Sequence, residues 1–341
     1  MKSRLLVFVL LVFGLLIAGV QTTAAAQQTT YSGRGIVVGA TVLGIPVTLV
    51  DTGPLPASGG AIEASLADLS LPGVLTAGIA QATSVGQNNY TRTDSGLADV
   101  GLTVAGLDIG ADLLLAQAEA LCPKATKASL KGSSVVVNLT LNGQPIAVTG
   151  KPNQTVQLPL GLGHIIINEQ TETKNGNDAS ITVNALHVVV TGIADVVIGH
   201  AEAGITCARQ NQCSTKSFAS GMGKIKSPSG TTATFAFTGG TRNGNELYGN
   251  LKYDDKNGTK VVGTAVTDYQ VTGAKSRRIE GTAKINGSGS YTYTIDVTDG
   301  GAAKKDTFRL RLSNGYDTGV QHLTGSGRMT CGNIRVNKPC K

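Results

Sequence analysis

Four two-residue breaks, Asn257-Gly258, Asn286-Gly287, Asp299-Gly300 and Asn314-Gly315, punctuate the C-terminal third of this chain. Each lies between runs in which apolar and polar residues alternate. Asn-Gly and Asp-Gly reach the left-handed backbone that a tight hairpin needs, and a period of two gives a strand one buried and one solvated face. An antiparallel meander follows from the two signals together. In "DTFRLRLS", Phe308, Leu310 and Leu312 share one face while Thr307, Arg309 and Arg311 share the other. Those arginines are therefore expected on an open sheet surface.

The N-terminal part obeys the same logic with fewer turn dipeptides. "GRGIVVGATVLGIPVTLV", "GVLTAGIAQATSV", "SVVVNLTLNGQPIAV", "TVQLPLGLGHIIINEQ", "ASITVNALHVVVTG" and "ADVVIGHAEAGIT" read as strands, with Asn142-Gly143 a hairpin turn. Only 61–71 and 110–121 have a composition that suits helices. Tryptophan is absent and aromatics make up 4%, so the cores must be built from Val, Ile, Leu and Ala. The expected fold is all-β: a β-sandwich-like module, with a β-solenoid as the alternative, followed by a smaller antiparallel β-sandwich or barrel.

Lys2 and Arg4 precede an apolar run, Leu5 to Val20, and Ala24-Ala25-Ala26 supplies the small residues of a signal-peptidase site. Residues 1–26 are read as a signal peptide. Residue 27 is Gln, so a lipoprotein anchor is not indicated, and no later segment is apolar enough to span a bilayer. No LPxTG sequence or apolar tail ends the chain. The expectation is an exported protein, extracellular or envelope-associated, with no membrane span after signal removal.

Charge is segregated along the chain. Residues 27–212 carry 8 Lys+Arg against 13 Asp+Glu, whereas residues 213–341 carry 19 against 9. A boundary is expected at 208–217, giving an acidic domain, 27–212, and a basic domain, 213–341. A basic domain is drawn to polyanions, here anionic cell-wall or matrix polymers rather than a specific nucleic acid. Lys275, Arg277, Arg278, Arg309 and Arg311 are the candidate contacts. Solubilising charge on a sheet surface would look the same.

Five cysteines in an exported chain favour disulfides, with fifteen connectivities open for two bonds. Cys122 and Cys207 each end an apolar run and are paired here. Cys213 and Cys340 flank the basic half and are paired next, which leaves Cys331. No CxxC or Cys/His spacing suggests redox or zinc chemistry.

Candidate chemistry is sparse. "LVDTGP" carries the Asp-Thr-Gly of aspartic proteases, but the chain has no second such loop to complete the carboxylate pair, which a dimer of identical loops could also supply, and Pro54 and Pro56 suggest a rigid connection instead. "YDDKNGTK" lacks the twelfth-position Glu of a calcium loop and reads as a hairpin turn, and Asp296, Asp299 and Asp306 suggest at most a weak calcium site. Histidines 164, 187, 200 and 322 form no HExxH, and no nucleophile elbow or Walker loop occurs. By parity His187 falls with Ile181, Val183 and Ala185, which places it facing the core. Glu169 and His187 are the best acid/base candidates, provided the "KNGND" turn aligns them, with His164–His187 as another pairing. Tyr291 and Tyr293 are candidates for a glycan-binding face. Sequons at Asn89, Asn138, Asn153, Asn257 and Asn286 suit an Asn/Thr-rich β protein. No cofactor or metal is expected, and no catalytic residue is assigned.

"NLTLNGQPI", "PNQTVQLP", "GHIIINEQ", "ITVNALHV" and "ADVVIGHAEAGITC", with "GRGIVVGATVLGIPVTLVDTGPLP" and "GVLTAGIAQATS", resemble the choice-of-anchor P family of exported bacterial proteins over residues 33–207. "GTAKINGSGSYTYTIDVTDGG", "DTFRLRL" and "CGNIRVNKP" resemble the post-COAP type of β domain over 218–339, with Cys331 where Gly is more usual. The resemblance implies an exported β module and carries over no catalytic residues. The function expected is that of a non-catalytic structural or adhesive protein. A glycan- or polyanion-binding module is the alternative, and a hydrolase stands behind both.

Overall fold

The computed structural model describes residues 28–124, 127–208, 217–242, 246–301, 305–324 and 331–337. Strands β1 (Thr30–Val42) and β2 (Ile45–Asp51) begin a first sheet. A second sheet holds β3 (Gly60–Leu71), β4 (Leu75–Gln87), β5 (Tyr90–Val104), β6 (Leu107–Lys124), β7 (Lys127–Val137), β8 (Thr140–Leu141) and β9 (Gln144–Pro145). The chain then returns to the first sheet with β10 (Gln154–Gln157), β11 (Gly163–Asn175), β12 (Asp178–Val190) and β13 (Ala194–Thr206). The third sheet comprises β14 (Phe218–Lys226), β15 (Thr232–Thr241), β16 (Leu247–Asp255), β17 (Thr259–Gly273), β18 (Ser276–Ile285), β19 (Ser288–Thr298), β20 (Thr307–Leu312), β21 (Gln321–His322) and β22 (Gly332–Val336). The protein is all-β and antiparallel. Because β13 pairs with β1 and β12 in one sheet, the first half is a sandwich and not a solenoid.

Both stretches with helical composition are strands, β3 and β6. β6 lies inside the second sheet between β5 and β7, and Leu113, Leu114 and Leu115 are all buried. A strand covered on both faces needs an unbroken apolar run, which a composition reading mistakes for helix.

The second sheet is the middle layer. One face packs on the first sheet through Leu97, Leu114, Ala116, Val183 and Ile198. Its other face meets the third sheet through Ile79, Ala98, Leu113, Met222 and Ala236. The third sheet curls into a half-barrel around its own core, where Phe235 stacks on Phe308 with ring centroids 4.1 Å apart. Cys122 and Cys207 are disulfide-bonded, tying the end of β6 to the residue after β13. Cys331 is free and buried, while Cys213 and Cys340 lie outside the described residues. Most of the expected boundary at 208–217 lies outside them as well.

A transverse row breaks the period of two in both sandwich sheets. In the first sheet Asn168 of β11, Gly199 of β13 and Val50 of β2 have positive φ (54°, 65° and 53°), and their partners Ala185 and Val37 lie on the strands between. Register is unbroken across the row: Asn184 pairs with His200 and Leu186 with Ile198. Side-chain facing reverses nonetheless. On β12, Ile181 and Val183 point inward before the row, and Leu186, Val188 and Val190 after it. The second sheet repeats the device with Asp68 on β3, Asp99 on β5 and Asn138 after β7. One left-handed residue rotates the following side chains to the opposite face, much as a bulge does.

The acidic middle layer supplies charge to the basic third sheet. Asp99 accepts from Lys224 at 2.9 Å and Lys256 at 3.2 Å, and Asp68 accepts from Lys260 at 2.6 Å. Deeper in this interface the guanidinium of Arg92 sits 2.8 Å from Asp94 and 2.5 Å from Glu119. Ser220 of β14 donates to Asp94 at 2.7 Å, and Asn333 of β22 donates to Gln117 at 2.6 Å.

Candidate functional site

The facing reversal corrects the position of His187. It is not a core residue: beyond the row its parity is that of the open face of the first sheet. There it meets Glu169, with Nδ1 2.9 Å from Oε2. The hairpin that pairs Asn175 with Asp178 sets this alignment, since Glu169 lies opposite Asn184 and Ile166 opposite His187. His187 Nε2 is also 2.9 Å from Asp195 Oδ1.

The contacts continue across the sheet. Asn184 Nδ2 donates to Glu169 at 2.6 Å, and Asn184 Oδ1 is 2.8 Å from His200 Nδ1. His200 Nε2 is 3.2 Å from Glu202 Oε1. The hydrogen bond from His200 holds the Glu202 carboxyl below its ordinary value, outweighing burial, and the charges of His200 and Arg34 add to it. Arg34 on β1 is paired with Asp51 on β2 at 2.5 Å, and that bond lowers the Asp51 carboxyl in turn. Asp51, the aspartate of the protease-like "DTG", is thus half of an ion pair.

The result is a strip running Asp195–His187–Glu169–Asn184–His200–Glu202, flanked by Arg34–Asp51. Asp195, Asn184 and Glu202 were not singled out from the sequence, and His200 was weighed only as one of the four histidines. The only signal for them was an i, i+2 spacing of His200 and Glu202, which puts both on one face. His164 is on the same sheet opposite Val189, two rows from His187, and His322 lies far off on β21. A shallow depression of about 320 Å3 adjoins the strip, lined by Ile36, Pro46, Val47, Asp195, Val197 and His200 among others. Among the described residues no group of three or more His, Cys, Asp or Glu is arranged to hold a metal ion.

Chemically, the strip is a carboxylate-rich ladder whose centre at Asn184 is buried and whose end carboxylates, Asp195 and Glu202, are exposed. His187 stands between two carboxylates, and only a doubly protonated ring donates to both. Both ring nitrogens of His187 face carboxylates, and the Glu169 contact is at the distance acid/base catalysis requires.

The five basic candidates divide. Arg277 is a correction: it is buried, because its parity puts it inside the half-barrel opposite Arg278. Its guanidinium donates to the carbonyls of Gly273, Ser276 and Asn337 and to Tyr269 Oη and Ser217 Oγ, so it cannot reach a polymer. Arg278, Arg309 and Arg311 are on the open face, but each has an acid partner. Arg278 and Arg311 share Asp296 at 2.7 and 2.8 Å, and Arg309 pairs with Asp317 at 2.6 Å. Lys275 is exposed in the β17–β18 turn. Asp296 is therefore occupied by arginines, and Asp306 is buried and accepts the amides of Gly300 and Ile334. The carboxylates considered for calcium do not converge. Tyr293 is buried in the third sheet's core and presents nothing to a glycan.

No family model matches the chain, and no curated protein does. Among solved structures, an AttH-like protein of Nitrosomonas europaea is 10% identical with a TM-score of 0.21, covering 90% of this chain and 92% of that one. Kievitone hydratase of Nectria haematococca is 10% identical with a TM-score of 0.17, covering 91% and 89%. Likenesses of that size define neither fold nor activity here.

Proposed function

We propose that this is an exported, non-catalytic β protein with a structural or adhesive role outside the cell or at its envelope. The observation that carries this reading is the open-face strip. It is a broad polar surface spread over several strands, and its histidines, carboxylates and amide are already hydrogen-bonded to one another. The disulfide supports an oxidising compartment. The leader sequence and the choice-of-anchor P and post-COAP resemblances point the same way. Adhesion through the arginine face is less well supported, because Asp296 and Asp317 neutralise it.

Pull-down on purified cell envelope and matrix fractions tests the reading. The native protein should be retained, and Glu169→Gln/His187→Asn/His200→Asn should reduce retention without loss of the fold. Retention by no fraction sinks it. A hydrolase is the second reading, favoured by the 2.9 Å Glu169–His187 contact alone. Turnover of an ester or glycoside panel that vanishes in Glu169→Gln would establish that reading instead.

A further inference from the structure

One end of the sandwich is built from apolar hairpin tips. The β1–β2 turn reads Val42-Leu-Gly-Ile45, the β3–β4 turn Leu71-Pro-Gly-Val-Leu75, the β5–β6 turn Val104-Ala-Gly-Leu107 and the β12–β13 turn Val190-Thr-Gly-Ile-Ala194. The connection before β11 is Leu158-Pro-Leu-Gly-Leu-Gly163. None of these five segments contains a charge. They lie together. Leu43 N donates to Ile193 O at 2.8 Å and Thr191 N to Leu162 O at 2.9 Å, while Leu75, Val104, Leu107, Leu158, Val190 and Ala194 close one core beneath them.

The apices are exposed. Leu160 is 96% exposed, Leu43 75% and Ile45 67%, with Leu71, Val74 and Ile193 over a third exposed. Those six are most of the large exposed aliphatics among the described residues. A soluble surface scatters such side chains singly, and a cluster of them marks an interaction surface.

Lysines are set back from the same end. Lys260 and Lys224 reach Asp68 and Asp99 on the reversal row of the second sheet, which fixes the third sheet's hairpins at this end. From Asp68 to the tip at Leu71 is about 10 Å at strand rise. Lys226, farther along β14, and Lys284, beside the β18–β19 turn, are exposed and make no ion pair with a described residue.

We propose that this end docks on an anionic lipid surface, its aliphatic tips entering the apolar boundary while Lys226 and Lys284 face the headgroups. The combination of uncharged apical aliphatics with two lysines free of ion pairs matches the two attractions that hold a peripheral protein on such a surface, and the exposed carboxylates of Asp108 and Asp195 at the same end oppose the second. A second copy fits less well. Two-fold docking of this end on itself would bring both lysine sets face to face. Separate fingertips also suit a fluid phase better than a rigid complementary surface.

The test uses the chain from Gln27 onward, which lacks the apolar leader and keeps every described strand. Flotation is measured with phosphatidylcholine vesicles and with vesicles of phosphatidylcholine and phosphatidylglycerol in 3:1 ratio. The native chain should float with the anionic vesicles. Leu43→Ser/Ile45→Ser/Leu160→Ser/Ile193→Ser should partition at least tenfold less. Lys226→Glu/Lys284→Glu should lose preference for the anionic vesicles. Because the chain has no tryptophan, Leu160→Trp reports insertion by itself, and its emission should shift blue and be quenched by brominated lipid. A native chain that stays below both vesicles overturns the proposal, and so does unshifted indole emission from the Leu160→Trp variant when it floats. A dimer that the four-serine variant dissociates would assign the surface to a second copy instead.

Discussion

Gly199→Ala tests the row that reverses the sheet. Gly199 has φ of 65°, and a Cβ there would lie 3.0 Å from Ser95 O of the facing sheet and 3.1 Å from Ala185 Cβ on the next strand. The left-handed conformation costs a residue with a Cβ about 1–2 kcal/mol. Neither contact is the end of a flexible chain, so overpacking adds about 1–3 kcal/mol. The expected loss is about 2–5 kcal/mol, read as a lowered urea midpoint with the slope unchanged. Gly39→Ala is the control. It lies in the same sheet without positive φ, and its Cβ would meet only Ile36 Cγ2 at 3.9 Å. That change should stay within about 0.5 kcal/mol of the parent. Equal midpoints for the two variants would refute the reversal as the cause of the side-chain pattern.

Three further outcomes follow. Removing the disulfide with Cys122→Ala/Cys207→Ala frees a loop of sequence separation 85 and should cost about 4–5 kcal/mol of unfolding free energy by the chain-entropy relation, measured with the remaining thiols blocked. Arg277→Met leaves three part-buried carbonyls without their donor and should cost about 2–4 kcal/mol, whereas Arg278→Met on the open face should cost under about 1 kcal/mol in the same titration. Glu63 is solvent-exposed on β3, yet desolvation by the protein around its carboxyl pushes it up to about 7 against the pull of Arg242 and Lys252. Its folded value exceeds its unfolded one, so stability should fall as pH rises from about 4.5 to 7, and Glu63→Gln should flatten that slope; an unchanged profile would contradict it.

Alternation and turn dipeptides made the antiparallel sheets legible, down to the open-face placement of Arg309 and Arg311. The same rule applied with care separates Arg277 from Arg278, whose opposite parities put one inside and one outside. His187 could not be placed that way. A strand reading assumes parity persists, and nothing in "IINEQ" or "VIGHA" announces a left-handed Asn168 or Gly199, since both types occur in ordinary strands. Val50 is harder still, because a β-branched residue at positive φ is what propensity excludes. The polar strip was half legible for the same reason. Glu169 and His187 were found as a pair, but Asn184, His200 and Asp195 join them only after the reversal has turned both sides of the row outward.

The charge asymmetry of the chain takes on a different meaning once the layers are assembled. An acidic half and a basic half suggest an external polyanion only if their charges face solvent. Asp68 and Asp99, however, are two of the left-handed residues of the middle sheet, and they answer Lys260, Lys224 and Lys256 across the interface. Burial works against the ionised Asp99, but its two lysines outweigh burial and hold its carboxyl below the ordinary value. Asp296 and Asp317 quench three of the arginines within the basic sheet itself. Much of the positive charge is therefore spent inside the molecule. Cations free to act on something else include Lys275, Lys226 and Lys284, and two of these three stand at the end where the uncharged hairpin tips emerge. A partner recognised by charge alone would find little here, whereas one that is both apolar and anionic would find both features together.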